Sequence, residues 1–420
     1  METKKGFFRY ENGMVIILTL VFGFVMFDRF ALTNLAPFVN PELGLNNSQF
    51  GFIMSAFAFA WAISGFVGCL TSDLRKQKKK FLATFVLFFS ICSLATGFAV
   101  GFISLLLIRV IMGLFEGPVL PLNQSFMLVQ STPSRRGFNM GVMTTSGVGL
   151  ISSLLGPIIV VALATAIGWR ATFFLTIIPG LILVFLILKY LIEPDMESFA
   201  STSAPEQKEK VKFTDVLKNR NVIVTCIYSI FIIGWYVTML SFSPLFLTEV
   251  KGLSPTHMSY IMSALGAGAI LWGMAVPSLS DRFGRKPIII IFSIITLFAP
   301  LGLLFTPASS PIVMAICCFI GWCGAGIFPV FEAAVPTESV NPKFASSAVA
   351  TVQLAGELIG AVGFVAIAGI LADAFGLSAV MWLCAGLMVV AFFVAFGIYE
   401  TAPLVLERRK AKANANAVAK

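Results

Sequence analysis

The sequence predicts an all-α membrane protein of twelve transmembrane helices in two six-helix, pseudo-symmetric bundles. Three observations carry that reading. Of 420 residues, 58% are hydrophobic and only 12% charged, where a soluble domain carries about 25% charged residues. The apolar residues gather into runs near the ~20 residues needed to cross a hydrocarbon core of ~30 Å. The two halves of the chain also match one another at a constant offset of 208 residues.

The runs fall at 14–39, 48–71, 81–100, 103–126, 137–163 and 169–192 in the first half, and at 222–247, 256–279, 287–306, 311–334, 345–371 and 377–399 in the second. An even number of spans puts both termini on one side. With that side cytoplasmic, the loops collect Lys4, Lys5, Arg75, Lys76, Lys78 to Lys80, Arg135, Arg136, Arg282, Arg285, Lys286 and the basic tail. This is the positive-inside asymmetry, and it explains the excess of 29 Lys+Arg over 20 Asp+Glu without a nucleic-acid partner. Four cations escape it. Arg170 and Lys251 fall on the outer side, and Arg29 and Arg109 lie deep within spans. The first run is of full spanning length with no small-residue cleavage site after it, so it reads as a retained helix and not a signal peptide. All seven cysteines sit inside spans and read as apolar packers.

The internal repeat pairs Gly44-Leu45 with Gly252-Leu253 and Ile53-Met54-Ser55-Ala56 with Ile261-Met262-Ser263-Ala264. It continues through Ser72-Asp73 with Ser280-Asp281, Gly113 with Gly321, Pro121 with Pro329 and Gly168 with Gly376. The expected organisation is a first bundle over 1–192, a polar cytoplasmic linker over 193–221, a second bundle over 222–400 and a cytoplasmic tail over 401–420. Parallel repeats of this kind place a solute site near the midplane where the halves meet.

Pro277-x-x-x-Asp281-Arg282-Phe283-Gly284-Arg285-Lys286, between the eighth and ninth spans, resembles the loop motif of the major facilitator superfamily, with Pro in place of the usual leading Gly. The resemblance implies the major facilitator fold. It also implies a gating loop in which Asp281, Arg282, Gly284 and Arg285 take part, with Asp73 as the first-half counterpart. Leu74 stands where that first copy would have its Arg.

A charge at bilayer depth costs several kcal/mol unless it is paired or hydrated, so each one is a candidate for function. The candidates are Asp28, Arg29, Arg109, Glu116 and Glu357. At ~1.5 Å per residue, Asp28, Arg29 and Arg109 share a depth, and Glu116 lies two turns from Arg109 on the same helix face. Gly113 between them admits either a solute or another helix. Consecutive residues point about 100° apart, so Asp28 and Arg29 face different partners. An arginine stays charged when buried and binds carboxylate in a bidentate fork. A carboxyl there is pulled towards the protonated form by burial and towards the ionised form by a nearby arginine, so its proton can follow conformation. Those are the properties that coupling needs. The alternative for the quartet is a structural ion network. Glu357 reads equally as a second proton site or as a polar helix contact, and Glu332 as part of a gate or interfacial network.

Asp28-Arg29, Pro41-x-Leu43-Gly44-Leu45, Arg109-x-x-x-Gly113-x-x-Glu116-Gly117-x-x-x-Pro121 and Gly168-Trp169-Arg170-x-x-Phe173 are similar to the anion:cation symporter branch of the superfamily. Ser131-Thr132-Pro133 departs from the aromatic-rich segment that the branch commonly has there. The resemblance implies proton coupling at Asp28 and Glu116, and substrate binding or charge balance at Arg29 and Arg109. Trp61, Thr145, Ser146, Tyr236 and Gln353, with Trp235 and Tyr228, are expected to line the site, Tyr236 standing at the repeat position of Asp28.

Enzyme classes find no support. The chain has no Gly-Lys dipeptide for a Walker A loop, and one histidine, His257, precludes a His-Glu-x-x-His zinc site. No metal or cofactor is expected. The reading is a proton-coupled importer of a small organic anion, such as a sugar acid, working as a monomer in a bacterial inner membrane. A drug-efflux antiporter is the alternative, and Gly156-Pro157 speaks weakly for it. A non-transporting sensor on the same fold is the alternative from another class.

Overall fold

The computed structural model describes residues 2–75, 77–132, 135–195, 218–341, 344–408 and 411. The expected linker falls largely on 196–217 and about half of the tail on 409–410 and 412–420, outside the described residues. Among the described residues, twelve helices are long and apolar enough to span a membrane. In the first half they are α1 (Tyr10–Leu43), α2 (Asn47–Gly65), α3 (Lys78–Thr96), α4 (Phe102–Gln130), α5 (Arg136–Ile167) and α6 (Trp169–Tyr190). In the second they are α7 (Arg220–Val250), α8 (Pro255–Phe283), α9 (Arg285–Phe305), α10 (Pro311–Ser339), α11 (Ser347–Phe375) and α12 (Leu377–Ala395). A helix can do this in lipid because each of its backbone polar groups finds its partner within the segment. By contacts the chain forms two compact units, Met1–Glu209 with Ser254–Gly266, and Lys210–Leu253 with Ala267–Lys420.

The repeat is written into the backbone. Gly44 and Gly252 end the first helix of their halves at φ 63° and 65°, and Gly168 and Gly376 separate the last two helices at φ 85° and 83°. This left-handed region is costly for any residue with a Cβ. The loops after α3 and α9 show the same need met differently. Arg170 Nη1 donates to the carbonyls of Gly97 (2.8 Å) and Ala99 (2.7 Å) while its Nε pairs with Glu42 at 2.9 Å. Lys251 Nζ donates to the carbonyls of Leu304 (2.9 Å) and Thr306 (2.8 Å). Each cation satisfies carbonyls left over at a helix C-terminus, where the dipole also favours positive charge. Burial lowers the Lys251 ammonium below its ordinary pKa. The two cations that the loop-charge pattern leaves unexplained therefore have a structural use.

Helix–helix contact in lipid depends on close packing of small residues, since apolar side chains gain nothing by leaving an apolar solvent. α2 and α4 cross at Gly113 and Gly117. A Cβ at Gly113 would lie 2.7 Å from the Phe57 carbonyl oxygen, and one at Gly117 would lie 2.3 Å from that of Trp61. Of the two neighbours the sequence leaves open for Gly113, the structure supplies the helix.

Several spans are interrupted. α4 is α-helical over Phe102–Glu116, then resumes at Val119–Gln130 beyond Gly117-Pro118. α6 turns at Thr176, between Trp169–Leu175 and Ile177–Tyr190. Pro179 there lacks the N–H that would bond the Leu175 carbonyl. π-Helical runs occupy Val142–Leu155 in α5 and Gly356–Phe364 in α11, and with the 208-residue offset the two overlap.

Candidate functional site

The site is built on α1, α2, α3, α4 and α6 of the first unit. Asp28 and Glu116 are fully buried, Arg109 is 1% exposed and Arg29 7%. All four interact electrostatically. Asp28 feels the charge of Arg109, and Glu116 feels Asp28, Arg29 and Arg109. Cys92 on α3 lies in the same field.

The two consecutive residues of α1 diverge as the helical rotation requires. Asp28 turns to α3, where its Oδ1 is hydrogen-bonded to the Ser93 hydroxyl, and Ser93 Oγ is 2.7 Å from Thr176 Oγ1 on α6. Arg29 turns to α2, its guanidinium 5.3 Å from the Phe57 ring centre and 5.1 Å from that of Trp61. Arg109 lies 5.6 Å from the Phe173 ring centre. Aromatic faces offer a buried cation about 0.5–2 kcal/mol of attraction and leave its hydrogen-bonding edge unused.

That unused capacity is the chemical feature of the site. Among the described residues, Arg109 Nε and Nη2, Asp28 Oδ2, both carboxyl oxygens of Glu116 and Trp61 Nε1 are buried without a hydrogen-bond partner. No direct ion pair joins the four charged groups among those residues. Buried charges normally saturate one another, because an uncompensated one costs several kcal/mol. Here the cations and carboxyls are close enough to feel each other and remain chemically unfilled. Such a set can accept an anion at a guanidinium and protons at the carboxyls.

Other residues singled out from the sequence lie elsewhere. Tyr236, in the second unit, packs on Trp322 and Phe328 with ring centres 5.2 and 5.3 Å apart. Trp235 is buried against Trp322 with its Nε1 unpartnered among the described residues. Tyr228 donates to Ser293 at 2.8 Å, whose own hydroxyl donates to the Ile289 carbonyl, so Tyr228 is a satisfied core residue. Gln353 and Glu357 are half-buried, and Glu357 is within electrostatic reach of Glu332. His257 is exposed beside Ser254. The side chains of Thr145, Ser146 and Asp73 fall outside the described residues.

In the loop between α8 and α9, Arg285 and Arg282 part company. Arg285 pairs with Asp281 at 2.5 Å and with Glu338 at 2.8 Å, and donates to Ser280 at 2.7 Å. Gly284 takes φ 110°, and Glu400 accepts the main-chain N–H of Arg285 (2.8 Å) and Lys286 (3.3 Å) at the start of α9. A carboxylate at a helix N-terminus is favoured by the dipole and fills vacant N–H groups. Arg282 instead lies 5.5 Å from the centre of the Phe283 ring.

Sequence reading missed Ser93, Thr176 and Phe57, and held Phe173 only as part of the Gly168-Trp169-Arg170-x-x-Phe173 motif, without its place beside Arg109. The hydroxyl residues carried one signal, being polar groups inside apolar runs. Phe57 carried none.

The Major Facilitator Superfamily profile matches residues 18–364 and again 224–419. The chain belongs to that superfamily, a class of membrane transporters and not of enzymes. It is 29% identical over 340 residues to the hexuronate transporter of Bacillus subtilis (strain 168), covering 76% of this chain and 80% of that one. It is 27% identical over 295 residues to the multidrug resistance protein MdtG of Rahnella sp. (strain Y9602), covering 68% of each. A bacterial homologue of the human lysosomal transporter Spinster, solved inward-facing and unoccupied, superposes with a TM-score of 0.77 at 19% identity over 93% of this chain and 98% of its own.

Proposed function

We propose that the protein takes up a small organic anion, of the sugar-acid type, together with protons. The observation that carries this reading is the unfilled hydrogen-bonding capacity of Arg109 and Glu116, two opposite charges buried on one face of α4. A multi-pass chain that needed these groups only for packing would gain by saturating them. The hexuronate transporter among its relatives supports a carboxylate as the solute.

In the proposed cycle Asp28 and Glu116 are protonated first, and the anion then binds at Arg29 and Arg109 with Trp61 beside it. Neutralised charge lowers the cost of closing the site to water, and release on the other side lets the carboxyls lose their protons. Tyr236, Gln353, Thr145 and Ser146 are the further contacts proposed, with Glu357 as a second proton site. The Asp281–Arg285 loop, with Arg282, Gly284 and Asp73, biases the conformational equilibrium. Both termini are placed in the cytoplasm of a bacterial cell, with a monomer in the inner membrane.

The second reading, proton-driven efflux, draws on the relatives named as multidrug resistance proteins. The deciding experiment is uptake of labelled D-glucuronate into reconstituted vesicles under an imposed pH gradient, with wild type and Glu116→Gln. The expected result is gradient-driven accumulation by wild type, and exchange without accumulation by the variant. Accumulation of a cationic dye, with no glucuronate flux, overturns the symport reading in favour of efflux.

A further inference from the structure

Three oxygen–oxygen contacts run in series through the buried centre of the first unit. Asp28 Oδ1 meets Ser93 Oγ, Ser93 Oγ meets Thr176 Oγ1 at 2.7 Å, and Thr176 Oγ1 meets the Phe173 carbonyl at 2.7 Å. Each contact needs one proton. The two hydroxyls hold one each, and the Phe173 carbonyl can only accept, so Thr176 donates to it. Ser93 must then donate to Thr176, and the remaining proton has to sit on Asp28. With Asp28 ionised, Ser93 donates to it instead, and either the Ser93–Thr176 contact or the Thr176–Phe173 contact loses its hydrogen.

We infer that Ser93 and Thr176 are positioning residues that hold the proton of Asp28, forming a reversible relay from that carboxyl to the turn in α6. The relay rests on the proposed proton coupling for its use in transport, but its existence does not. Its far end is placed to matter. Thr176 is the residue at which α6 turns, and the Phe173 whose carbonyl closes the chain also carries the ring facing Arg109. Loss of the proton from Asp28 therefore changes a hydrogen bond at the α6 turn, one residue pair away from the guanidinium proposed to bind solute. The other groups facing Asp28 are Arg109 and Glu116 from α4 and Cys92 from α3. None of them supplies the missing proton to this chain.

The test is infrared spectroscopy of the purified full-length protein in lipid nanodiscs, titrated with pH in water and in heavy water. Wild type should show a protonated-carboxyl stretching band that shifts in heavy water and is absent from Asp28→Asn. Thr176→Val keeps the side-chain shape but removes two contacts from the protonated arrangement and one from the ionised one. The pH at which the band is half lost should fall by up to about one unit, the value of one neutral hydrogen bond, and Thr176→Ser should restore it. A merely structural role for Thr176 would lower thermal stability and leave that pH unmoved. The inference is overturned if wild type lacks the Asp28-dependent band, or if well-folded Thr176→Val titrates as wild type does. Glucuronate accumulation measured on the same proteins separates the two readings. A shifted band without accumulation sinks symport alone, and accumulation with an unshifted band sinks the relay alone.

Discussion

The two halves of this chain descend through the same backbone plan yet hold their charges in opposite ways. In the first, Asp28, Arg29, Arg109 and Glu116 are buried, mutually felt and incompletely bonded. The positions 208 residues later are Tyr236, Val237, Cys317 and Gly324, of which Tyr236 joins an aromatic cluster with Trp322 and Phe328. In the second half Glu332 and Glu357 lie near one another, and a separate ionic group gathers at the start of α9, where Arg285, Asp281, Glu338 and Glu400 saturate one another and the local N–H groups. A saturated network holds one arrangement. An unsaturated one waits for ligands. Duplicated folds can thus separate the holding of a state from the binding of a solute.

The largest expected break in that contrast comes from Arg109→Ala. Removing the fully buried cation leaves Asp28 and Glu116 uncompensated, a cost of about 3–5 kcal/mol, and glucuronate uptake should fall at least about 100-fold at about 1.4 kcal/mol per decade. Arg109→Lys should recover only part of it, because an ammonium lacks the planar fork. Next comes Arg285→Ala, which should lower unfolding stability by about 2 kcal/mol, discounted because Asp281 is exposed, as read from urea unfolding in detergent. Its solute exchange should persist. If Arg285→Ala abolished exchange as Arg109→Ala does, the division between the halves would be wrong. The smallest effect sharpens the comparison. Gly44→Ala and Gly252→Ala meet open space and differ from wild type only in backbone strain, so each should cost about 1–2 kcal/mol and the two thermal shifts should agree.

Much of this was legible before the coordinates, for physical reasons. A spanning helix satisfies its own backbone in lipid, so apolar run length alone locates all twelve to within several residues at most boundaries. Helical rotation separates Asp28 from Arg29 and aligns Arg109 with Glu116. What the sequence hides is which apolar ring meets which cation. Phe57 is one of 42 phenylalanines and nothing in its spacing marks it, while the motif that contains Phe173 does not say which cation its ring meets. Ser93 and Thr176 are similarly anonymous, because a hydroxyl in an apolar run bonds its own helix as readily as a distant carboxyl. The π-helical widening of α5 and α11 has no composition signature either.

Arg170 and Lys251 carry a last consequence. Each is fastened to main-chain oxygens at the end of a neighbouring helix, by different side chains reaching from different places in the two halves. Both cations therefore have their donors committed to closing helix ends, which makes them part of the frame. An arginine and a lysine do the same work in the two halves, so what each position requires is a positive donor long enough to reach the neighbouring helix end.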